Sequence, residues 1–126
     1  MIEDSLNYVD SLFNRGARYL TLTWNNSTSW ATSAQDESDS SMKREKGLTD
    51  FGKRIVKRMN KLGMLIDVSH AGEQTFWDVI ATTTKPVIAS HSITKGLVER
   101  GYKKKEINKI LGGNFIRVFQ KNMNRN

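Results

Sequence analysis

The sequence contains no cysteine and only one proline in 126 residues. Without thiols the chain can form neither a disulfide framework nor a thiolate metal site, so any metal ion must be held by histidine and carboxylate side chains. No stretch approaches the roughly 20 apolar residues that a transmembrane helix needs, and the N-terminus lacks the basic and apolar regions of a secretory signal. We therefore expect no membrane partner and, for the chain as written, a cytoplasmic location.

Acidic side chains are also few: 13 Asp and Glu stand against 20 Lys and Arg, which gives a net charge of +7. Much of the positive charge lies in KRIVKRMNK and RGYKKKEINK, two segments with helical periodicity, in which long cationic side chains usually form a solvated outer face. No RNP pattern, zinc finger or basic zipper accompanies the charge. A nucleic-acid-binding module is therefore the weakest of the alternative functions, and it would require salt-sensitive retention on DNA or RNA.

Apolar patterning predicts an alternation of helices and strands. Residues 4–15 place apolar side chains at helical spacing, and a second helix is predicted from Thr49, as its N-cap, to Gly63, as its terminator. The segment GEQTFWDVIATTTK is predicted to be a third helix. The predicted strands are residues 19–24, 64–70 and 86–92. Since the strands are nearly continuous apolar runs separated by helices, we expect parallel pairing through right-handed crossovers, and hence an α/β fold.

Two regions depart from this alternation. Residues 25–46 contain few apolar side chains and are predicted to form a long loop, of the kind that is usually functional or disordered. The chain after Ser92 is predicted to be helical, with an interruption at Gly112 and Gly113 and with Asn114 capping the next turn. The apolar face of this helical region would consist of Ile107, Ile110, Leu111, Phe115, Val118 and Phe119.

The chain has two histidines, and each ends a similar segment, MLIDVSH at residues 64–70 and PVIASHS at residues 86–92. Aligned, the segments place His70 opposite His91 and Ile66 opposite Val87, so both histidines would lie at the carboxyl ends of their strands. Neighbouring strands lie roughly 4.8 Å apart, which allows two imidazoles to converge on one metal ion. The alternative is two ordinary histidines hydrogen-bonded to loop backbone, because a zinc site normally needs three or four ligands.

Several longer segments carry a resemblance to a known family. GARYLTLTWNNSTSWATSA, KGLTDFGKRIVKRMNKLGMLIDVSH, TTKPVIASHS and ILGGNFIRVF resemble the membrane dipeptidase family, also called renal dipeptidase or peptidase family M19. The resemblance implies a TIM-like (β/α) barrel with two bridged zinc ions that polarise a dipeptide carbonyl and activate a water for hydrolysis. It also implies that His70 and His91 are ligands of the second zinc.

The sequence departs from the family pattern at several positions. It contains no His-x-Asp motif for the first zinc, Glu3 lies too late to be the bridging glutamate, and Trp24 stands where the family has an active-site histidine. A TIM barrel takes about 250 residues and eight strands. We therefore expect an internally shortened, N-terminally truncated relative that binds at most one zinc. Residues 1–95 would form a partial barrel, and residues 96–126 a helical segment packed on it.

These observations leave two leading hypotheses. One is a zinc-dependent dipeptidase, incomplete as a catalyst, with a dipeptide as its substrate if it is active. The other is a non-catalytic partial barrel whose open sheet edges force association with itself or with another chain. Among the remaining residues, Asp67 is expected to cap or pack rather than bind metal, because strand alternation directs its side chain away from the histidine face. Trp24, Trp30 and Trp77 are expected to serve more in buried packing than in a substrate cleft.

Overall fold

A three-stranded parallel sheet organises the chain. The computed structural model describes residues 5–90, 99 and 101–123. The strands, in sheet order, are β1 (Tyr19–Thr21), β2 (Leu65–Asp67) and β3 (Val87–Ile88). Both pairs are parallel, and Ile66 is registered with Val87 as predicted. The predicted α/β class is confirmed, and the sheet matches part of a (β/α) barrel. The strands are shorter than predicted, and His91 and Ser92 lie outside the described residues.

Helices precede, connect and follow the strands. They are α1 (Asn7–Asn14), α2 (Ala34–Ser38), α3 (Asp50–Leu62), α4 (Glu73–Thr82), α5 (Lys104–Asn108) and α6 (Asn114–Met123), with a π-helical turn at Lys109–Gly113 between the last two. The predicted ends of α3 are confirmed. The Thr49 hydroxyl accepts a hydrogen bond from the Gly52 amide at 3.2 Å, and Gly63 ends the helix with φ 78°, a left-handed conformation that favours glycine.

The core lies between β2 and the helices α1, α3 and α4. Its completely buried side chains include Val9, Ile55, Val56, Met59, Ile66, Val68 and Val79. Burial of each such side chain contributes about 1.5–3 kcal/mol to folding. The sequence predicts a buried face of α3 made of Phe51, Ile55, Met59 and Leu62, and the observed face is shifted slightly from it. Ile55 and Met59 are in the core, but Val56 is buried while Phe51 and Leu62 are only partly covered.

The C-terminal segment covers the outer edge of β3. The Ala89 amide donates to the Ile110 carbonyl at 2.7 Å, and the Asn114 side-chain amide donates to the Val87 carbonyl at 2.7 Å. The predicted helix interruption is confirmed at Gly112, whose backbone is non-helical. The predicted capping role of Asn114 is wrong, because its side chain bonds to the sheet instead. One sheet edge thus has its polar groups satisfied from within the chain.

Only part of the predicted C-terminal apolar face can be compared with the structure. Ile107 and Ile110 are buried in the core as expected. The structure does not describe the side chains of the other four residues of this predicted face, Leu111, Phe115, Val118 and Phe119.

The polar region at residues 25–46 is not a plain loop, because it contains α2. Ser33 caps this helix, its hydroxyl accepting from the Asp36 amide at 3.1 Å. The sequence carries the corresponding signal, a serine followed three residues later by an acidic residue, which the composition of the region obscured.

Glu37, on α2, caps the N-terminus of α4 from a distance in sequence. Its carboxylate accepts hydrogen bonds from the backbone amides of Gln74 at 2.9 Å and Thr75 at 3.3 Å, and from the Thr32 hydroxyl. The N-cap residue of α4 is Gly72, which has no side chain for this role. A Cβ atom at Gly72 would lie 2.1 Å from Glu37 Cδ, so this glycine permits the carboxylate to approach.

We expect Glu37→Gln to lower the free energy of unfolding by about 1–2 kcal/mol, because the amide keeps only one acceptor oxygen for these donors. Thermal or urea unfolding measures the change. Glu45→Gln is the matched control, since Glu45 is an exposed glutamate in the same region and should behave like the parent. Equal stability of all three proteins would show that the distant cap contributes nothing.

The outer edge of β1 differs from that of β3. Within the described residues β1 pairs only with β2. A cavity of about 620 Å³ opens beside it, between α1 and the chain that follows the strand, and no charged side chain lines this cavity. Tyr8, Tyr19 and Trp24 are exposed near the same edge. This edge, beside a cavity whose lining carries no charge, is the place at which we expect the self-association predicted from the sequence.

We therefore expect concentration-dependent association of the parent chain in sedimentation experiments, weakened by Tyr19→Lys, because a lysine on an edge strand opposes pairing. Ile116→Lys is the control, since Ile116 is a large exposed apolar residue on α6, beside the opposite edge of the sheet. A parent chain that stays monomeric at high concentration would contradict the prediction that the β1 edge mediates self-association. An equal loss of association in both variants would contradict it as well.

Candidate functional site

One buried carboxylate joins the carboxyl ends of all three strands. Asp67, the last residue of β2, is completely inaccessible to solvent. Its Oδ1 accepts from the Ser69 amide (3.0 Å), the Ser69 hydroxyl (2.7 Å) and the Ser90 amide (3.1 Å). Its Oδ2 accepts from the hydroxyls of Thr21 (2.9 Å) and Ser90 (2.6 Å). The expectation that Asp67 is structural is confirmed, and its role is to tie together the turns that follow the strands.

The hydrogen bonds also set the charge state of Asp67. Burial acts to raise the pKa of this carboxyl, but the hydrogen bonds donated by Ser90 and Ser69 outweigh it and hold the pKa below its usual value. Asp67 is therefore an anion at neutral pH with its acceptor sites engaged. Such a carboxylate orders its surroundings and has little remaining capacity to bind a metal ion.

His70 follows three residues later in a constrained turn. Its φ is 60°, and no other non-glycine residue in the described part of the chain has a positive φ. Its carbonyl accepts from the Ala34 amide at 2.8 Å, and the Ala71 amide donates to the Val68 carbonyl at 3.2 Å, so the backbone is held on both sides. The extended conformation predicted through residue 70 is wrong at this point, because β2 ends at Asp67 and the chain turns. Strand alternation therefore does not determine the direction of the imidazole.

Trp24 lies against His70. The two ring centroids are 4.7 Å apart, and the ring planes are inclined by 36°. Thr21 of β1 is paired with Asp67 of β2. Trp24 lies three residues after Thr21, and His70 lies three residues after Asp67. Trp24 is 63% exposed, so the expectation of buried packing is wrong for it, whereas Trp30 is buried at 3% exposure as expected. The two aromatic side chains thus form a tilted ring pair just beyond the ends of β1 and β2.

The family model described as "Membrane dipeptidase (Peptidase family M19)" matches residues 1–99, which is most of the chain. The chain belongs to the membrane dipeptidase family. The matched residues include both histidine segments and all three strands of the sheet.

Individual relatives support the membrane dipeptidase assignment. The chain is 39% identical to Dipeptidase 3 of Mus musculus over 98 residues, and 37% identical to Dipeptidase 3 of Homo sapiens over the same length. The aligned part is 78% of this chain but 20% of either relative. The chain therefore corresponds to about a fifth of these dipeptidases.

Solved structures agree in fold. The probable dipeptidase PvdM from Pseudomonas aeruginosa matches with a TM-score of 0.64 and 31% identity over 76% of this chain and 24% of its own. A metallo peptidase from Rhodobacter sphaeroides, liganded with a phosphinate mimic of the dipeptide L-Ala-D-Ala, matches with a TM-score of 0.58 and 27% identity. That match covers 68% of this chain and 24% of the other.

The described residues of this membrane dipeptidase relative contain no complete set of metal ligands. Between residues 5 and 90 and from 101 to 123, no three His, Asp or Glu side chains are grouped as metal ligands. The half-buried His70 imidazole has the chemistry of a zinc ligand, but Asp67 is engaged by its serine and threonine donors. His91 lies outside the described residues, so the predicted pairing of the two histidines stays a prediction. Nor does any described helix have the length and hydropathy to cross a membrane.

The sequence contained a signal for the Asp67 network that motif reasoning missed. A serine immediately precedes each histidine, in VSH and in ASH, and a threonine ends β1. Small hydroxyl side chains just after neighbouring strands are suited to a carboxylate at the same edge. The contact of Trp24 with His70 had no comparable signal, because it depends on where two loops meet.

We expect Asp67→Asn to lower the free energy of unfolding at neutral pH by about 2–4 kcal/mol, because the amide removes the charge and turns an acceptor into a donor facing other donors. Urea unfolding measures the loss. Asp39→Asn is the control, since the pKa of Asp39 is also lowered, by hydrogen bonds from Ser41, but this carboxylate is exposed in a local turn. The free energy of unfolding of Asp39→Asn should equal that of the parent.

The same network predicts a dependence on pH. The pKa of Asp67 is lower in the folded chain than in the unfolded chain, so its stabilisation is present above the unfolded value of about 3.9 and is lost as the pH falls through the folded value. Asp67→Asn should therefore lose less stability than the parent on acidification. If the free energy of unfolding fell equally with decreasing pH in the two proteins, Asp67 would not be the source of the dependence.

Proposed function

We propose that this chain is the zinc-binding segment of a dipeptide hydrolase, in which His70 and His91 ligate one zinc ion. The single observation that carries the proposal is the position of His70, in a constrained turn at the carboxyl edge of a parallel sheet, within the segment matched to the membrane dipeptidase family. In (β/α) barrels the carboxyl ends of the strands are where active sites lie. The structural similarity to the Rhodobacter sphaeroides metallo peptidase, which is liganded with a phosphinate mimic of the dipeptide L-Ala-D-Ala, supports the substrate class.

In this proposal the chain's own residues have distinct tasks. His70 and His91 provide neutral imidazole nitrogens. Asp67 takes no part in ligation and instead holds the turn before His70 and the Ser90 backbone before His91 at one edge. Asp67 would thereby organise the residues that immediately precede the two proposed ligands. Preorganisation of this kind strengthens binding because less conformational freedom is lost when the ligand arrives.

A second candidate function is a non-catalytic, metal-binding module. The observation in its favour is that the described residues provide one candidate ligand, His70, where zinc enzymes use three protein ligands and an open position. Both candidates include zinc at His70, and they differ in whether the chain hydrolyses a dipeptide.

Zinc binding is tested by calorimetric titration of the parent, His70→Asn and His91→Ala. Asparagine is chosen at position 70 because it tolerates the left-handed backbone while removing the imidazole. We expect weak binding by the parent, because two imidazoles leave much of the shell to water, and a loss of about tenfold or more in each variant. Variants that bind zinc like the parent would overturn the ligand roles.

Catalysis is tested by incubating the purified chain with a dipeptide and zinc. The double variant His70→Asn, His91→Ala is the control, since it removes every histidine from the chain. Hydrolysis by the parent but not by the control supports the dipeptidase. Zinc binding with no hydrolysis by either protein supports the non-catalytic module and overturns independent catalysis by this chain.

A further inference from the structure

Thr23 has a buried hydroxyl without a hydrogen-bond partner. The residue lies just after β1, it is 3% exposed, and its Oγ1 atom bonds to no group in the described part of the chain. Buried polar groups of native proteins are nearly always paired, because an unpaired group has lost its water without a replacement. The hydroxyl of Thr23 therefore points to a partner that the chain itself does not supply.

The other hydroxyls on the same surface are paired. Four serine and threonine side chains line the cavity beside β1. Those of Thr21, Ser27 and Thr28 each form a hydrogen bond within the chain, at 2.9, 2.9 and 3.1 Å respectively. Thr23 is the exception among the four, so the unpaired hydroxyl is a local feature of this cavity and not a general property of its wall.

The cavity has the size and the lining of a small-molecule site. Its volume of about 620 Å³ lies within the range of about 300–1,000 Å³ that is typical of ligand pockets. Leu12, Leu20, Leu22 and the rings of Tyr8 and Trp30 provide apolar surface, and none of the described residues that line the cavity is charged. A free dipeptide carries an ammonium and a carboxylate group, for which this lining has no counter-charge.

We propose that the cavity binds a small neutral organic molecule with an apolar, ring-sized body and one hydrogen-bonding group, and that the Thr23 hydroxyl pairs with that group. The Oγ1 atom is covered in the free chain. Rotation about the Cα–Cβ bond exchanges the hydroxyl and the methyl group between staggered positions, and so can turn the hydroxyl towards a ligand. The proposal involves neither zinc nor the histidines, so its failure would leave the proposed dipeptidase function unaffected.

Binding is tested with three probes that share one ring system: naphthalenemethanol, methylnaphthalene and naphthoate. Nitrogen-15 NMR titration of the full chain should show one molecule of the alcohol bound per chain, with shifts at the amides of Leu20, Leu22 and Thr23. The alcohol should bind more tightly than methylnaphthalene, and naphthoate should bind most weakly, because burial of its charge is not compensated. Tightest binding of naphthoate would indicate non-specific attraction to a chain of net charge +7, and would overturn the proposal.

A second copy of the chain is the competing occupant of the cavity. The same titration is therefore repeated with Tyr19→Lys, in which association at the β1 edge should be weakened. The alcohol should bind to both proteins. Binding that appears only in Tyr19→Lys would show that a second copy fills the cavity of the parent, and would overturn the proposal. The absence of saturable shifts in both proteins would also overturn it.

The role of the hydroxyl is tested with Thr23→Val, which removes it and keeps the branched shape. Affinity for naphthalenemethanol should fall by about three- to tenfold, and affinity for methylnaphthalene should not change. Thr82→Val is the control, because this threonine ends α4 and does not line the cavity, and it should bind all three probes like the parent. Equal affinity of Thr23→Val and the parent for the alcohol would overturn the pairing.

Stability without a ligand provides an independent measurement. The urea midpoint of Thr23→Val should equal or exceed that of the parent, because the variant removes an unpaired buried hydroxyl. Thr21→Val should have a lower midpoint, because the Thr21 hydroxyl donates to Asp67. A lower midpoint in Thr23→Val would show that the hydroxyl is already satisfied in the free chain, and would overturn the proposal.

Discussion

The hydrogen bonds to the Asp67 carboxylate are the constraint on which the site depends. A buried charge is strongly unfavourable unless donors replace its water, and here the hydroxyls and amides of three segments do so. Thr21 comes from β1, Ser69 from the turn after β2, and Ser90 from the chain after β3. Since each donor ends or follows a different strand, a single side chain links the three strand ends.

The geometry around His70 follows from this constraint. The Ser69 amide and hydroxyl bend towards Asp67, so the chain leaves the extended conformation before it reaches His70. The left-handed backbone of His70 is then accommodated by contacts with Ala34, at the start of α2. The polar region at residues 25–46 therefore contributes to the site through α2, and Glu37 on the same helix anchors α4. Loop and sheet form one polar framework above an apolar core.

The parts of this structure that depend on local sequence were predictable. The nearly continuous apolar runs at residues 64–70 and 86–92 indicated parallel strands, and aligning them gave the correct register of Ile66 with Val87. Thr49 and Gly63 defined α3, because capping is decided within a few residues. The strand lengths were not predictable in the same way, since the Thr21 hydroxyl that bonds to Asp67 lies 46 residues away.

Contacts between distant segments account for the other differences. Asparagine is a common helix-capping residue, but the side-chain amide of Asn114 donates a hydrogen bond to the Val87 carbonyl on the outer edge of β3. Tryptophan is usually a core residue, but the ring of Trp24 lies against the ring of His70 on an adjacent turn. In both cases the side chain interacts with a group that only the folded sheet brings near. Of the site itself, the sequence indicated the position of His70 at a strand end but not its turn or its aromatic neighbour.

The most direct test of the central claim is a carbon-13 NMR titration of the Asp67 side-chain carboxyl, followed together with the amide protons of Ser69 and Ser90. The account predicts a midpoint below the ordinary aspartate value of about 3.9, with both amide signals shifting at the same midpoint. A midpoint at or above the ordinary value, or a Ser90 amide that does not follow the carboxyl, would contradict the claim that this carboxylate holds the strand ends together.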